Sequence, residues 1–529
     1  MIQPSGLLCL VLHAHLPYIR HPEHPRFLEE EWLFEAVSET YIPLLENLQG
    51  WTADGIDFRL TMTLSPTLCE MLAAPLLQDR YVAHVERLIE LCGREVERKQ
   101  GHGPFQESAE HYLDHFQRAR AGFVDRWKRD LVGAFAGYQK AGKLEIMTCA
   151  ATHALLPLLH RPEARRAQVR VAVENYRRHF GRSPRGIWLP ECGYAPGIEH
   201  ELTRAGLEYF FLDTHGVLFA TPRPRYGVFA PVLCPGGAAA FARDVESSRQ
   251  VWSAREGYPG DPNYREFYRD LGFDAAIEDI KPYLHSDGIR RSVGVKYHRI
   301  TGAVELHEKD AWRPGLARAR AAEHAAHFLA QRVIQARRLS ALLGRPPLVV
   351  APYDAELFGH WWYEGPVFLD HLFRRIAESG EIRPITPMEY LARHATLQPV
   401  QPIQSTWGHR GHNEMWLNGA NDWVYPHLHE MEERMVALAH RFEEPDTITW
   451  RALNQAAREL LLAESSDWPF ILSCGTAVPY AEKRFSTHLA RFLALEESLL
   501  AGHVDTDRLA AMEGQDNPFS ELDYGVYRG

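Results

Sequence analysis

Gly186-Ile187-Trp188-Leu189-Pro190-Glu191-Cys192-Gly193-Tyr194 is the stretch from which the fold is read. Ile187, Trp188 and Leu189 follow the turn signal Ser183-Pro184 as a short apolar run, the pattern of a parallel strand buried on both faces, and Pro190 ends it. Glu191 then stands at the carboxyl end of a strand, where barrel and open-sheet enzymes keep their chemistry. From this stretch alone, a glutamate that caps a helix or pairs with a base in a βα loop is the alternative.

The segments on either side repeat the pattern. Gly6 to Leu12 is a buried strand running into His13-Ala14-His15-Leu16-Pro17-Tyr18, and the two histidines at i and i+2 emerge on one side of an extended chain. Such a pair suits a metal ion, a substrate's hydroxyls, or plain packing. Further strands are expected over Phe58–Leu64, Leu144–Cys149, Glu208–Asp213 and Pro347–Asp354, with His153 just after the second of these. Helical spacing fills Glu29–Leu48, Val169–Phe180 and Ala317–Leu343. Strands alternating with helices mean a parallel sheet or barrel.

Three segments break this order. Asp79 to Lys140 is polar and helical with no strand signal, which suggests an insertion. Arg223 to Gly260 is rich in Pro and Gly and is expected to form a lid or rim. Beyond Pro387 comes a linker-like stretch, Thr396–Ser405, and then helices over Trp423–Phe442, Thr447–Glu464 and Ala481–Leu500. The expected organisation is a barrel over residues 1–78 and 144–395, a helical insertion over 79–143, and a helical C-terminal domain over 396–529. Its entry segment, Trp407 to Trp416, is expected to fold back over the cleft.

Composition narrows the function. The 529 residues are 45% hydrophobic and 24% charged, as in ordinary globular proteins. A net charge of −11 argues against a nucleic-acid partner, and no apolar run is long enough to span a bilayer. Seven scattered cysteines without a CxxC pair, and an N-terminus without the features of a signal peptide, suggest a reduced cytoplasmic protein. Thirteen tryptophans are enough to furnish a carbohydrate cleft, since indole rings stack on sugars.

Glu191 and Asp354, at two strand ends with histidines at two others, are the parts of a glycosidase site. Retaining glycosidases use one carboxylate as nucleophile and the other as acid/base, about 5–5.5 Å apart. The ordered pieces His13–Tyr18, Thr152-His153, Trp188–Tyr194, Pro352–Trp362 and Trp407–Trp416 resemble the five motifs of glycoside hydrolase family 57. Val251-Trp252-Ser253, Gly257–Asp261 and Ser466-Asp467-Trp468 are similar to its 1,4-α-glucan branching enzymes.

The resemblance spans almost the whole chain. It implies an incomplete barrel of seven parallel strands, with an inserted helical subdomain and an all-helical C-terminal domain. It assigns Glu191 as nucleophile and Asp354 as general acid/base, acting on an α-glucan such as amylose or a glycogen-like polymer, with no metal and no organic cofactor. His13, His15 and His153 would line the donor subsite. Trp32, Trp361, Trp407 and Trp416 would bind glucan. Arg255, Gly272 and Asp467 fall where the branching enzymes contact glucan, and Thr476 stands in place of a glutamine. Those enzymes carry a tyrosine on a loop after the nucleophile strand. The corresponding stretch here, Val232 to Phe241, has none and looks shortened, with Tyr226 at its base, which implies weak transfer and a larger share of hydrolysis. A zinc-dependent hydrolase using His13 and His15, and a non-catalytic glucan-binding protein, are the rival readings.

Overall fold

A computed structural model describes residues 4–253, 256–285 and 287–529. Its strands are β1 (Gly6–Ala14), β2 (Leu60–Leu64), β3 (Leu144–Cys149), β4 (Gly186–Trp188), β5 (Tyr209–Leu212), β6 (Val232–Leu233), β7 (Ala239–Ala242), β8 (Leu348–Asp354), β9 (Ile382–Pro384) and β10 (Gln398–Pro399). Seven of them run parallel in the order β7-β5-β4-β3-β2-β1-β8. β9 joins β1, while β6 lies antiparallel to β7. Among the described residues β7 and β8, the two ends of this parallel run, are not paired as strands; Asp244 N, just past β7, donates to Val350 O of β8 (2.9 Å), so the barrel is incomplete.

β1, β4, β5 and β8 read as largely apolar runs because both of their faces are buried. In β1, Leu8, Leu10 and Leu12 face the outer helices, while Leu7, Cys9 and Val11 face the interior with Met147, Trp188, Phe211, Phe241 and Val350. Continuing that alternation by two residues places His13 on the interior side. β8 alternates in the same phase, and its register pairs His13 with Asp354. Strand parity thus delivers a histidine and a carboxylate side by side to the end of the sheet where the strands finish.

Helices Pro66–Ala73, Pro75–Arg98, Pro104–Ala121 and Leu131–Lys140 lie between β2 and β3. Leu77, Tyr81, Val85, Leu88 and Leu91 line the inner side of the longest, and they share one apolar cluster with β1, β2 and Tyr283, Tyr297 and Trp312. The C-terminal helices Val424–Arg441, Thr447–Ala463 and Val478–Leu500 share a second cluster with β4, β5 and helix Pro162–Phe180.

The Pro- and Gly-rich stretch 223–260, expected to form a lid or rim, is part of the sheet and brings Arg243 and Trp252 to the rim of the cleft. It holds β6 and β7, the latter a barrel strand of only four residues, Ala-Ala-Phe-Ala, too short and too small in its side chains to stand out in the sequence. The turn between them, closed by Cys234 N donating to Ala238 O (2.9 Å), leads into the beginning of β7. The turn Cys234–Ala238 therefore lies at the opposite end of the sheet from Glu191, and Phe241, inside β7, is buried in the barrel interior. The expected helix over Glu29–Leu48 is also interrupted, by a π-helical turn at Val37–Tyr41. The Thr396–Ser405 stretch is tied to the sheet, by β10 against β6 and by bridges from Gln401 to Thr221 and Ser405 to Tyr194.

Candidate active site

A cleft of about 1090 Å³ opens over the ends of β1, β4, β7 and β8. Glu191 reaches it from the short turn Pro190–Cys192 after β4, with its backbone in the left-handed region (φ 61°). His153, four residues past β3, is held in the same region (φ 60°). A residue other than glycine costs about 1–3 kcal/mol there, a strain that the surrounding packing must hold.

Glu191 is gripped from above. Trp407 donates its backbone N–H to Glu191 O (2.9 Å) and its indole N–H to Glu191 Oε2 (2.7 Å). His153 Nδ1 lies 3.9 Å from the other carboxylate oxygen. Asp354 faces the same cleft, and among the described residues its carboxyl group takes no hydrogen bond. Burial pushes both carboxyls up to about 8; the Trp407 N–H opposes the rise at Glu191, and Glu356 adds to it at Asp354. Burial therefore does not by itself place Asp354 above Glu191, the order that an acid/base and an ionised nucleophile require. Hydrogen bonding favours that order, because a donor stabilises the anion of Glu191 alone.

The floor is a stack of imidazoles. His15 and His153 lie ring to ring at 3.8 Å, and His13 packs on Trp188 at 4.8 Å. His13 Nε2 and His153 Nε2 are 3.0 Å apart and share one proton, since burial holds both rings well below the usual histidine range. His15 Nε2 lies 3.1 Å from Asp467, while His153 Nδ1 lies 2.9 Å from Ser466 Oγ. The Ser465-Ser466-Asp467 turn of the C-terminal helices thus completes the floor. Glu356 accepts from Tyr41 OH (2.5 Å) and from the backbone N–H of His15 (3.2 Å), and burial lifts its carboxyl to about 7.

Two groups bring possible metal-ligand atoms within 4.8 Å of one another: His13, Cys149 and His153, and His15, His153 and Asp467. The ring nitrogens of His15 and His153 are already engaged by Ser65, Asp467, His13 and Ser466. A further group, Glu459, His488 and Asp516, is bound to Arg484 and Arg491, cations that oppose a metal ion.

The sequence-derived residues Glu191, Asp354, His13, His15, His153, Trp32, Trp361, Trp407, Trp416, Asp467 and Thr476 all line this cleft. Trp361 is 53% exposed and stacks on Phe267 at 4.3 Å, forming an open aromatic ledge, whereas Trp416 is buried against Phe470. Gly272 is not among the lining residues. It is buried beside Arg291, whose carbonyl oxygen would lie 1.8 Å from a Cβ at this position. Arg255 lies outside the described residues. Arg243, Trp252, Phe267, Tyr268, Lys296 and Glu356 line the cleft without having been singled out as site residues. Arg243 follows the unrecognised β7, and Lys296 lies in irregular chain, so neither carried a strand-end signal.

The model for glycosyl hydrolase family 57 matches residues 9–401. The chain belongs to this family. A second model, for the C-terminal region of 1,4-alpha-glucan branching enzymes, matches residues 427–527. The chain is 35% identical to a 1,4-alpha-glucan branching enzyme of Thermococcus kodakarensis, over 99% of the chain and 78% of that protein. Among solved structures, the alpha-amylase AmyC of Thermotoga maritima is 46% identical with a TM-score of 0.93, covering 99% of each chain. The branching enzyme of Pyrococcus horikoshii is 34% identical with a TM-score of 0.89, covering 99% of this chain and 97% of that one. The fold matches that of the family-57 branching-enzyme structure, an incomplete seven-stranded barrel with a helical C-terminal part.

Proposed function

We propose that the protein is a 1,4-α-glucan branching enzyme that works by retention. The observation that carries this is the pair Glu191 and Asp354 at the ends of β4 and β8, facing one aromatic-rimmed cleft, with a hydrogen-bond donor aimed at Glu191 alone. Glu191 attacks the anomeric carbon while Asp354 protonates the departing glycosidic oxygen, leaving a glucosyl-enzyme ester. Asp354, now a base, takes the proton from the 6-hydroxyl of an acceptor glucan as that oxygen displaces Glu191, and the α-1,6 bond forms. His13, His15, His153 and Asp467 support a donor-sugar subsite, with Trp361 and Trp407 as glucan-binding rings. No helix among the described residues is long and apolar enough to cross a membrane, and all seven cysteines are free, which supports a reducing cytoplasmic setting.

A second reading, in which water takes a larger share of the intermediate, is supported by two observations. The 232–241 stretch brings no tyrosine to the cleft, and Tyr268, 70% exposed, is the tyrosine among the lining residues. The 46% identical relative is named an alpha-amylase. Incubation with amylose decides between them by counting new α-1,6 linkages against new reducing ends. An excess of linkages is expected for branching, while reducing ends alone would make the protein a hydrolase. Glu191→Gln should abolish both products while leaving glucan binding intact, and substantial turnover in that variant would remove Glu191 from its role.

A further inference from the structure

His215, three residues past β5, has an acceptor at each ring nitrogen. Nδ1 lies 3.1 Å from Asp213 Oδ1, and Nε2 lies 3.1 Å from Gly411 O. Asp213 pairs with Arg243, whose Nη2 stands 2.5 Å from its other oxygen, and a carboxylate oxygen accepts, so Nδ1 must carry a hydrogen. A peptide carbonyl only accepts, so Nε2 must carry one as well. A neutral imidazole has a single N–H, and the arrangement is therefore that of an imidazolium. The hydrogen bond to Asp213 raises this ring above the usual histidine range, with partial burial and the Arg243 charge opposing. The largest charge influences on the ring are Asp213 on its own turn and Arg243 from the end of β7; from the strap, where Arg410 and His412 flank Gly411, the contact is the uncharged Gly411 carbonyl.

Gly411 belongs to the strap Thr406–His412. This strap is folded on itself by Gly411 N donating to Gly408 O (2.9 Å) and Thr406 Oγ1 donating to His412 O (2.8 Å). Gly411 has φ +77°, and a Cβ there would lie 2.5 Å from His215 Cε1, so the ring sits directly on the strap's backbone. The same strap carries Trp407, bonded to Glu191. It is thus tied to the barrel at two strand ends, through Trp407 after β4 and through His215 after β5.

We propose that protonated His215 is a positioning residue for Glu191: it clasps Gly411, so holding the Trp407 N–H on the carboxylate, and loss of its proton releases the clasp. The neutral ring keeps its charge-assisted bond to Asp213 and gives up the Gly411 carbonyl. The kinetic consequence rests on Glu191 as nucleophile, whereas the protonation state does not, and the two are measured separately.

In the full-length protein labelled with nitrogen-15 histidine, the His215 signals are identified by their loss in His215→Gln. Both ring nitrogens should be protonated at neutral pH and titrate above about 6.5. A ring that is singly protonated at neutral pH overturns the proposal whatever the enzyme does. In kinetics, His215→Ala should lower kcat/KM about tenfold below the ionisation of His215, the size of one charge-assisted hydrogen bond. The ratio to wild type should close toward one above it, because the wild-type clasp has then released. His215→Gln donates to Gly411 at every pH and should exceed wild type on the alkaline side. A ratio independent of pH in both variants also overturns the proposal, as it would mark a purely structural side chain.

Discussion

Trp407 is the residue on which the state of Glu191 turns. Its indole N–H is a hydrogen-bond donor to a carboxylate whose burial otherwise favours the neutral form. Hydrogen bonds to charged groups are worth about 1.5–3 kcal/mol, so Trp407→Phe, which keeps the ring and loses the donor, should reduce kcat/KM by about 10- to 100-fold. The sign of its pH effect follows. Without the donor the anion of Glu191 is less stable and its pKa rises further, so the acid limb of kcat/KM must move to higher pH. A pH–rate profile with an acid limb unmoved or shifted downward would contradict this. Both partners of the bond were visible in the sequence as strand-end and motif residues. The bond itself was not, because it joins positions 216 apart in the chain.

The loop after β8 carries Glu356, and at Gly359 it packs directly on the backbone of a neighbouring helix. Gly359 has φ +122°, and a Cβ there would lie 1.8 Å from Glu39 O in the π-helical turn Val37–Tyr41. Only glycine takes that conformation at ease, and the strain for another residue is about 1–3 kcal/mol before the clash is counted. Gly359→Ala should lower the midpoint of thermal unfolding and reduce kcat with it, by displacing the loop that carries Glu356. Calorimetry and turnover on one preparation test this, and a variant unchanged in both would show the approach to be slack. The same turn explains why a continuous helix was expected over Glu29–Leu48. Trp32, Leu33, Ala36, Val37, Tyr41, Leu44 and Leu45 keep near-helical spacing, and the widened turn leaves that spacing almost intact.

Across the whole molecule, the C-terminal helices are docked on the barrel through buried acid groups. Glu464 accepts from Gln168 of helix Pro162–Phe180 (2.7 Å), and Glu432 accepts from the backbone N–H groups of His160 and Arg161 (3.3 and 2.5 Å). Burial and the Glu432 charge hold the Glu464 carboxyl well above the usual carboxylate range, and burial lifts Glu432 to about 7. A raised folded-state pKa contributes stability that is full below the unfolded value of about 4.5 and is lost as pH rises through the folded value. Glu464→Gln removes that ionisation, so the variant should lose less stability than wild type between about pH 5 and about pH 9. Urea unfolding at the two pH values measures the difference, and parallel losses in both proteins would show Glu464 to be uncoupled from the docking.

The sequence alone marked six of the seven parallel strands and put two carboxylates at strand ends, while the count of seven came from the family resemblance. Strands buried on both faces are predominantly apolar, so the polar residue that ends such a run stands out, which marks Glu191 after Ile187-Trp188-Leu189 and Asp354 after Leu348-Val349-Val350 wherever they lie in space. Only the tertiary structure decided which groups converge on them. β7 is too short to carry a periodic signal, so Arg243 at its end, the far-side position of the Cys234–Ala238 turn and the clasp of His215 on Gly411 emerge only when the strands align. Burial acts in the same way: it is a property of neighbours distant in the chain, and it sets the protonation of Glu191, Asp354 and the imidazole floor.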